Sequence, residues 1–136
     1  MIMFWFSVPF VGFESENYER FKGKYLYDNH RMKASILDIR FKEVRDFLVG
    51  IYVDYVKKYG WDGLKLDFID SFRLTENSPT DYENMDTVSV EVALERLLIE
   101  VTTKLKEINS EILIEFRQSY VGPIVSKYGN LLRVTD

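Results

Sequence analysis

Two helix-length amphipathic runs, each followed within a few residues by a stretch of alternating side chains, constrain this chain more than anything else in it. In the first run Val44, Phe47, Leu48, Ile51, Tyr52, Tyr55, Val56 and Tyr59 recur at helical spacing. Lys42, Arg45, Asp46, Asp54, Lys57 and Lys58 fill the other side, and Gly60 stands where a C-terminal cap belongs. Gly63-Leu64-Lys65-Leu66-Asp67-Phe68 then alternates strictly, as a strand does. The second run extends from about Thr87 to Ile108, with Leu94, Leu97, Leu98, Val101, Leu105 and Ile108 as its buried stripe, and 111–117 reads as the next strand. The apolar residues 2–8, punctuated by Pro9 and Gly12, form a strand ahead of both. Residues 14–22 read as a short helix or an irregular loop, and Ile36-Leu37-Asp38 as a short extended piece. A long loop spans 70–86, a helical turn 123–128, and 130–135 make a last strand. Strands that alternate with helices in this order run parallel and are joined by crossovers. The expected fold class is α/β, with about four parallel strands and outer helices in one unit over 1–136, an interior slice of a (β/α)8 barrel.

Parity along the strands says where chemistry belongs. Leu64, Leu66 and Phe68 share one face of their strand, and Lys65 and Asp67 the other. Ile112, Ile114 and Phe116 oppose Glu115 and Arg117; Leu132 and Val134 oppose Arg133; Phe4, Phe6 and Val8 oppose Trp5 and Ser7. A parallel strand covered on both faces should be apolar on both. Ionisable groups at Lys65, Asp67, Glu115, Arg117 and Arg133 are costly to bury unless paired. In (β/α)8 enzymes the C-terminal strand ends form the active site, so these groups mark a candidate site. The bland reading is a set of structural ion pairs, Lys65–Asp67 and Glu115–Arg117.

Composition removes most alternatives. The 136 residues carry 18 Lys+Arg against 22 Asp+Glu, a net charge of −4, which leaves no basic footprint for nucleic acid. No cysteine is present, so disulfide scaffolds, thiol catalysis and Cys-ligated zinc are excluded, while the compartment stays open. No segment approaches the apolar length of a transmembrane helix, and no membrane partner is expected. The single histidine, His30, makes a Ser-His-Asp arrangement or a His-rich metal site a poor reading. The seven glycines are scattered, with no phosphate-cradling loop. Carboxylates remain. Two carboxylates, a cationic lining and a Trp platform are the equipment of glycoside cleavage: one attacks the anomeric carbon, the other protonates the leaving oxygen and then activates water.

Four segments also resemble, in order, the catalytic barrel of melibiase-type α-galactosidases, glycoside hydrolase family 36 and its relatives. Phe4-Trp5-Phe6-Ser7-Val8-Pro9 is similar to the family's W-[FI]-x-P segment, with Ser7 where Glu is usual. The run from Leu37 to Leu48 resembles L-D-x-x-x-P-E-V-R-D-[YF]-L, with Lys42 in place of Pro. Lys65-Leu66-Asp67 is similar to the K-x-D strand that bears the nucleophile, and Arg133-Val134-Thr135-Asp136 to the R-x-[ST]-D stretch leading to the acid/base. The resemblance implies Asp67 as nucleophile and Asp136 as acid/base. It implies Trp5, Lys65, Glu115, Arg117 and Arg133 as substrate-binding residues. It further implies a carbohydrate partner, retention of anomeric configuration, an α-linked sugar such as galactose, and no metal or organic cofactor.

A four-stranded slice leaves open sheet edges, so the expectation is a piece that is inactive alone and able to pair edge to edge as a homodimer. The other expectation weighed is a non-catalytic carbohydrate-binding or interaction module on a barrel-derived scaffold, which the Ser7 replacement favours.

Overall fold

The computed structural model describes residues 3–7, 10–60, 62–67, 71–117 and 131–133. Four strands, β1 (Met3–Ser7), β5 (Gly63–Asp67), β6 (Leu113–Arg117) and β7 (Leu131–Arg133), form one parallel sheet in the order β1-β5-β6-β7. Three more, β2 (Phe10–Gly12), β3 (Tyr25–Asn29) and β4 (Ala34–Leu37), form an antiparallel sheet in the order β2-β4-β3. Among the described residues there are two α-helices, α1 (Lys42–Tyr59) between β4 and β5, and α2 (Val90–Ile108) between β5 and β6.

The α/β alternation holds, and the four parallel strands fall where the patterning put them. Helix α1 ends at Gly60, whose φ of 63° is left-handed and whose N–H donates to the Val56 carbonyl at 2.8 Å. Helix α2 begins at Ser89, whose Oγ accepts from the Val92 amide at 3.2 Å, one of the donors a helix start leaves over. The apolar faces of both helices meet in one core, where Val44, Tyr52, Leu97, Leu98, Val101 and Leu105 are all buried. Ile112 and Ile114 join that core, so at β6 the apolar parity faces the helices as expected.

The antiparallel sheet was not expected. Its strands are three to five residues long, and β3 reads Tyr-Leu-Tyr-Asp-Asn, too short and mixed to stand out by alternation. The extended piece expected at 36–38 is the end of β4, which begins at Ala34. Residues 14–22 are a succession of turns rather than a helix. The stripe of α1 also needs correction at three positions. Arg45, placed on the polar side, is 4% exposed, while Tyr55 and Tyr59 are 42% and 51% exposed and stack on each other with centroids 5.8 Å apart. The helix rotates Arg45 inward because partners wait for it there; the last turn, carrying Tyr59, runs out beyond the core. The expected turn over 123–128 lies outside the described residues.

Among the described residues no helix is long and apolar enough to cross a membrane.

Candidate functional site

Register builds the candidate site. Ser7 pairs with Asp67, Asp67 with Arg117, and Arg117 with Arg133, so these four make one row across the C-terminal end of the parallel sheet. Two residues earlier, Trp5, Lys65, Glu115 and Leu131 make a second row. Positions in register, and positions two apart on one strand, fall on the same face. Neighbours along a row are about 4.8 Å apart and the rows about 6 to 7 Å apart. The strands thereby bring together six of the seven expected site residues: Trp5, Lys65, Asp67, Glu115, Arg117 and Arg133. Asp136 lies outside the described residues.

Two long connections leave this end of the sheet, one from β1 to α1 carrying the antiparallel sheet, the other from β5 to α2. They are knitted together by groups the sequence reading did not single out. Asp38 and Arg40 form an ion pair that is 0% and 2% exposed. Arg40 Nη2 donates to Asp38 Oδ2 at 2.8 Å, Arg40 Nε donates to Asp38 Oδ1 at 3.0 Å, and the Arg40 amide reaches the same Oδ1 at 3.1 Å. The guanidinium then crosses to the second connection, where Nη2 donates to the Pro79 carbonyl at 2.8 Å. Arg45 does the same from α1. Its Nη1 donates to the Ile39 carbonyl at 2.8 Å and to Asp86 Oδ1 at 3.0 Å, and its Nη2 to Asp86 Oδ2.

Arg96 approaches Asp86 from α2 at 3.3 Å. The hydrogen bond from Arg45 is the main reason the Asp86 carboxyl is held below its usual range; partial burial opposes it, and the charges of Arg45 and Arg96 reinforce it. The Ser78 and Thr75 hydroxyls donate to the Leu26 carbonyl at 2.8 and 3.4 Å, and the Tyr27 hydroxyl donates to the Ser71 carbonyl at 2.7 Å. The signal for this clamp was present as two charges, Asp38 and Arg40, inside the apolar run from Ile36 to Phe41.

Burial, with Tyr18, Glu19 and Asp28 adding to it, pushes the Tyr25 hydroxyl up to about 12, so it stays a donor, to the Tyr18 carbonyl at 2.7 Å. Burial likewise pushes the Tyr52 hydroxyl up. Among the described residues no cluster of three or more His, Cys, Asp or Glu side chains could hold a metal ion.

No family model matches the sequence, and neither does any curated protein. Solved structures do. A variant of the GH36 α-galactosidase AgaA from Geobacillus stearothermophilus, in complex with stachyose, superposes at a TM-score of 0.73 with 16% identity, over 98% of this chain and 20% of that one. AgaB from the same organism gives 0.71 and 19% identity, over 98% of this chain and 19% of that one. The α-galactosidase TtGalA from Thermus thermophilus, also in complex with stachyose, gives 0.65 and 18%, over 96% of this chain and 27% of that one. The chain thus spans a fifth to a quarter of the length of these relatives. Its fold is that of one stretch of the family 36 α-galactosidases, the family its four segments resemble.

Proposed function

We propose that this chain is part of a retaining glycoside hydrolase acting on α-galactosides or related α-linked sugars, oligosaccharides of the raffinose and stachyose kind found in structures of the same fold. Asp67 attacks the anomeric carbon and the glycosidic bond breaks, leaving a glycosyl-enzyme ester. Asp136 gives its proton to the departing oxygen, then takes one from the water that cleaves the ester. Lys65 and Arg117, one on the same strand and one beside it in the row, favour the charged form of Asp67. Trp5 lines the pocket, and Glu115 and Arg133 bind hydroxyls of the sugar. The parallel sheet is four strands of a (β/α)8 barrel, and the 136-residue piece is inactive by itself, with open edges at β1 and β7 through which two copies could pair.

The observation that carries this reading is the register row Ser7, Asp67, Arg117 and Arg133, with the candidate nucleophile flanked at the strand ends. The fold likeness supports it. The second reading, a carbohydrate-binding module without turnover, is favoured only by Ser7 standing beside Asp67 where the family usually has Glu.

The experiment is Asp67→Gly in the intact protein with an aryl α-galactoside. The expected result is loss of turnover, restored by azide with formation of a β-galactosyl azide. An intact protein whose turnover survives the substitution would sink the assignment; one with no turnover to lose would leave the binding module.

A further inference from the structure

A surface recess of about 510 Å³ opens beside the antiparallel sheet, and none of the described residues that line it belongs to the register row. It is lined by Tyr25, Tyr27, Asp28 and His30 from β3 and its turn, and by Asn77 and Pro79 from the connection between β5 and α2. We propose that this recess is a second carbohydrate subsite, taking the neutral sugar units of an oligosaccharide that lie remote from the bond being cut. The inference rests on the glycosidase reading for its substrate, and on the recess itself for its chemistry.

The lining is built rather than incidental. A register shift between Tyr25 and Tyr27 puts two residues of β3 opposite one of β4, and such bulges re-aim side chains. Both tyrosines are held. Tyr25 stacks on Tyr18 with centroids 5.2 Å apart and planes 17° apart, and its hydroxyl is tied to the Tyr18 carbonyl. Tyr27 has the Arg73 guanidinium 5.0 Å over its ring, and its hydroxyl is tied to the Ser71 carbonyl. Side chains fixed in advance lose little entropy when a ligand arrives. Asp28 has one oxygen engaged by the Ser35 hydroxyl at 2.5 Å. His30 leans on Phe13, centroids 5.8 Å apart, and neither its ring nitrogens nor the Asn77 carboxamide hydrogen-bonds to another described residue.

Two aromatic rings beside a carboxylate, an imidazole and a carboxamide suit a pyranose, whose C–H face packs on a ring while its hydroxyls both give and accept hydrogen bonds. Among the described residues no lysine or arginine lines the recess, which disfavours a phosphate or sulfate ligand. Its place supports a distal role: both connections that form it start from the C-terminal ends of β1 and β5, beside Ser7 and Asp67.

His30 supplies the probe. In the intact protein carrying Asp67→Gly, so that no substrate is consumed, the imidazole signal of His30 is assigned by its loss in His30→Gln and followed by NMR during titration. Stachyose is expected to shift it saturably, galactose is not, and Asn77→Ala is expected to weaken the stachyose affinity by about 2- to 10-fold, the worth of one hydrogen bond. A signal that stays put with stachyose, moves equally with galactose, or titrates identically in Asn77→Ala overturns the proposal. Because the readout is binding at His30, these failures are separate from a failure of Asp67→Gly to abolish turnover.

Discussion

The same two residue types, aspartate and arginine, are used in opposite ways at the two layers of this molecule. In the clamp, Asp38 and Arg40 are sealed from water and their hydrogen bonds run to each other and to the Pro79 carbonyl. At the strand ends, Asp67, Arg117 and Arg133 are placed by backbone register, one per strand, in a row with Ser7. A buried pair two residues apart is a local solution to folding, closed on itself. A row assembled from four strands far apart in sequence depends instead on the whole sheet being in register. On the proposed function the difference separates charge that holds the loops from charge that meets a ligand, and it can be tested by making like substitutions in both layers.

The largest effect is expected at Asp67. In the intact protein Asp67→Gly should cost roughly a thousandfold or more in kcat, the scale of losing a nucleophile, while urea unfolding changes little. Asp38→Ala should do the reverse. It leaves the Arg40 guanidinium buried without its carboxylate, at about 3–5 kcal/mol of unfolding free energy, read from the urea midpoint and slope. If Asp38→Ala proved mild in stability and severe in kcat, the division between the layers would fail. A smaller loss, about 0.5–1.5 kcal/mol, is expected for Ser78→Ala, which removes one of the two hydroxyls that reach the Leu26 carbonyl and loosens one connection from the other.

How much of this was legible follows from the same contrast. Strands such as Gly63–Asp67 carry their parity in five consecutive residues, and α2 announces itself by the stripe of Leu94, Leu97, Leu98, Val101 and Leu105. Those are local signals, so the parallel strands and both helices could be read from the sequence. The clamp was legible only as two charges, Asp38 and Arg40, inside an apolar run; its long-range partners were not. Arg45 looks like any solvent-facing residue of an amphipathic helix until Asp86, 41 residues on, is brought beneath it. Likewise the bulge at Leu26 depends on β4 running alongside it. Short strands paired within a long connection leave little periodicity to find, and so the antiparallel sheet that carries the recess was missed.

The smallest effect sharpens the contrast through pH. Asp86 lies at the outer side of the clamp, its side chain 34% exposed, between the buried Arg45 and the exposed Arg96. Its folded carboxyl is held below the ordinary value of 3.8, chiefly by the Arg45 hydrogen bond. A group lowered on folding contributes stability in full above its unfolded value, and that contribution disappears as pH falls through the folded one. Asp86→Asn should therefore cost stability at neutral pH, about 1 kcal/mol or less because solvent screens a group this exposed. The gap between the two proteins should close below about pH 4 as the wild-type carboxylate takes up its proton. Urea midpoints measured at neutral pH and again near pH 3 decide it. A gap that persists unchanged in acid would mean that Asp86 holds the connection by shape and hydrogen bonding alone, with its charge contributing nothing to the clamp.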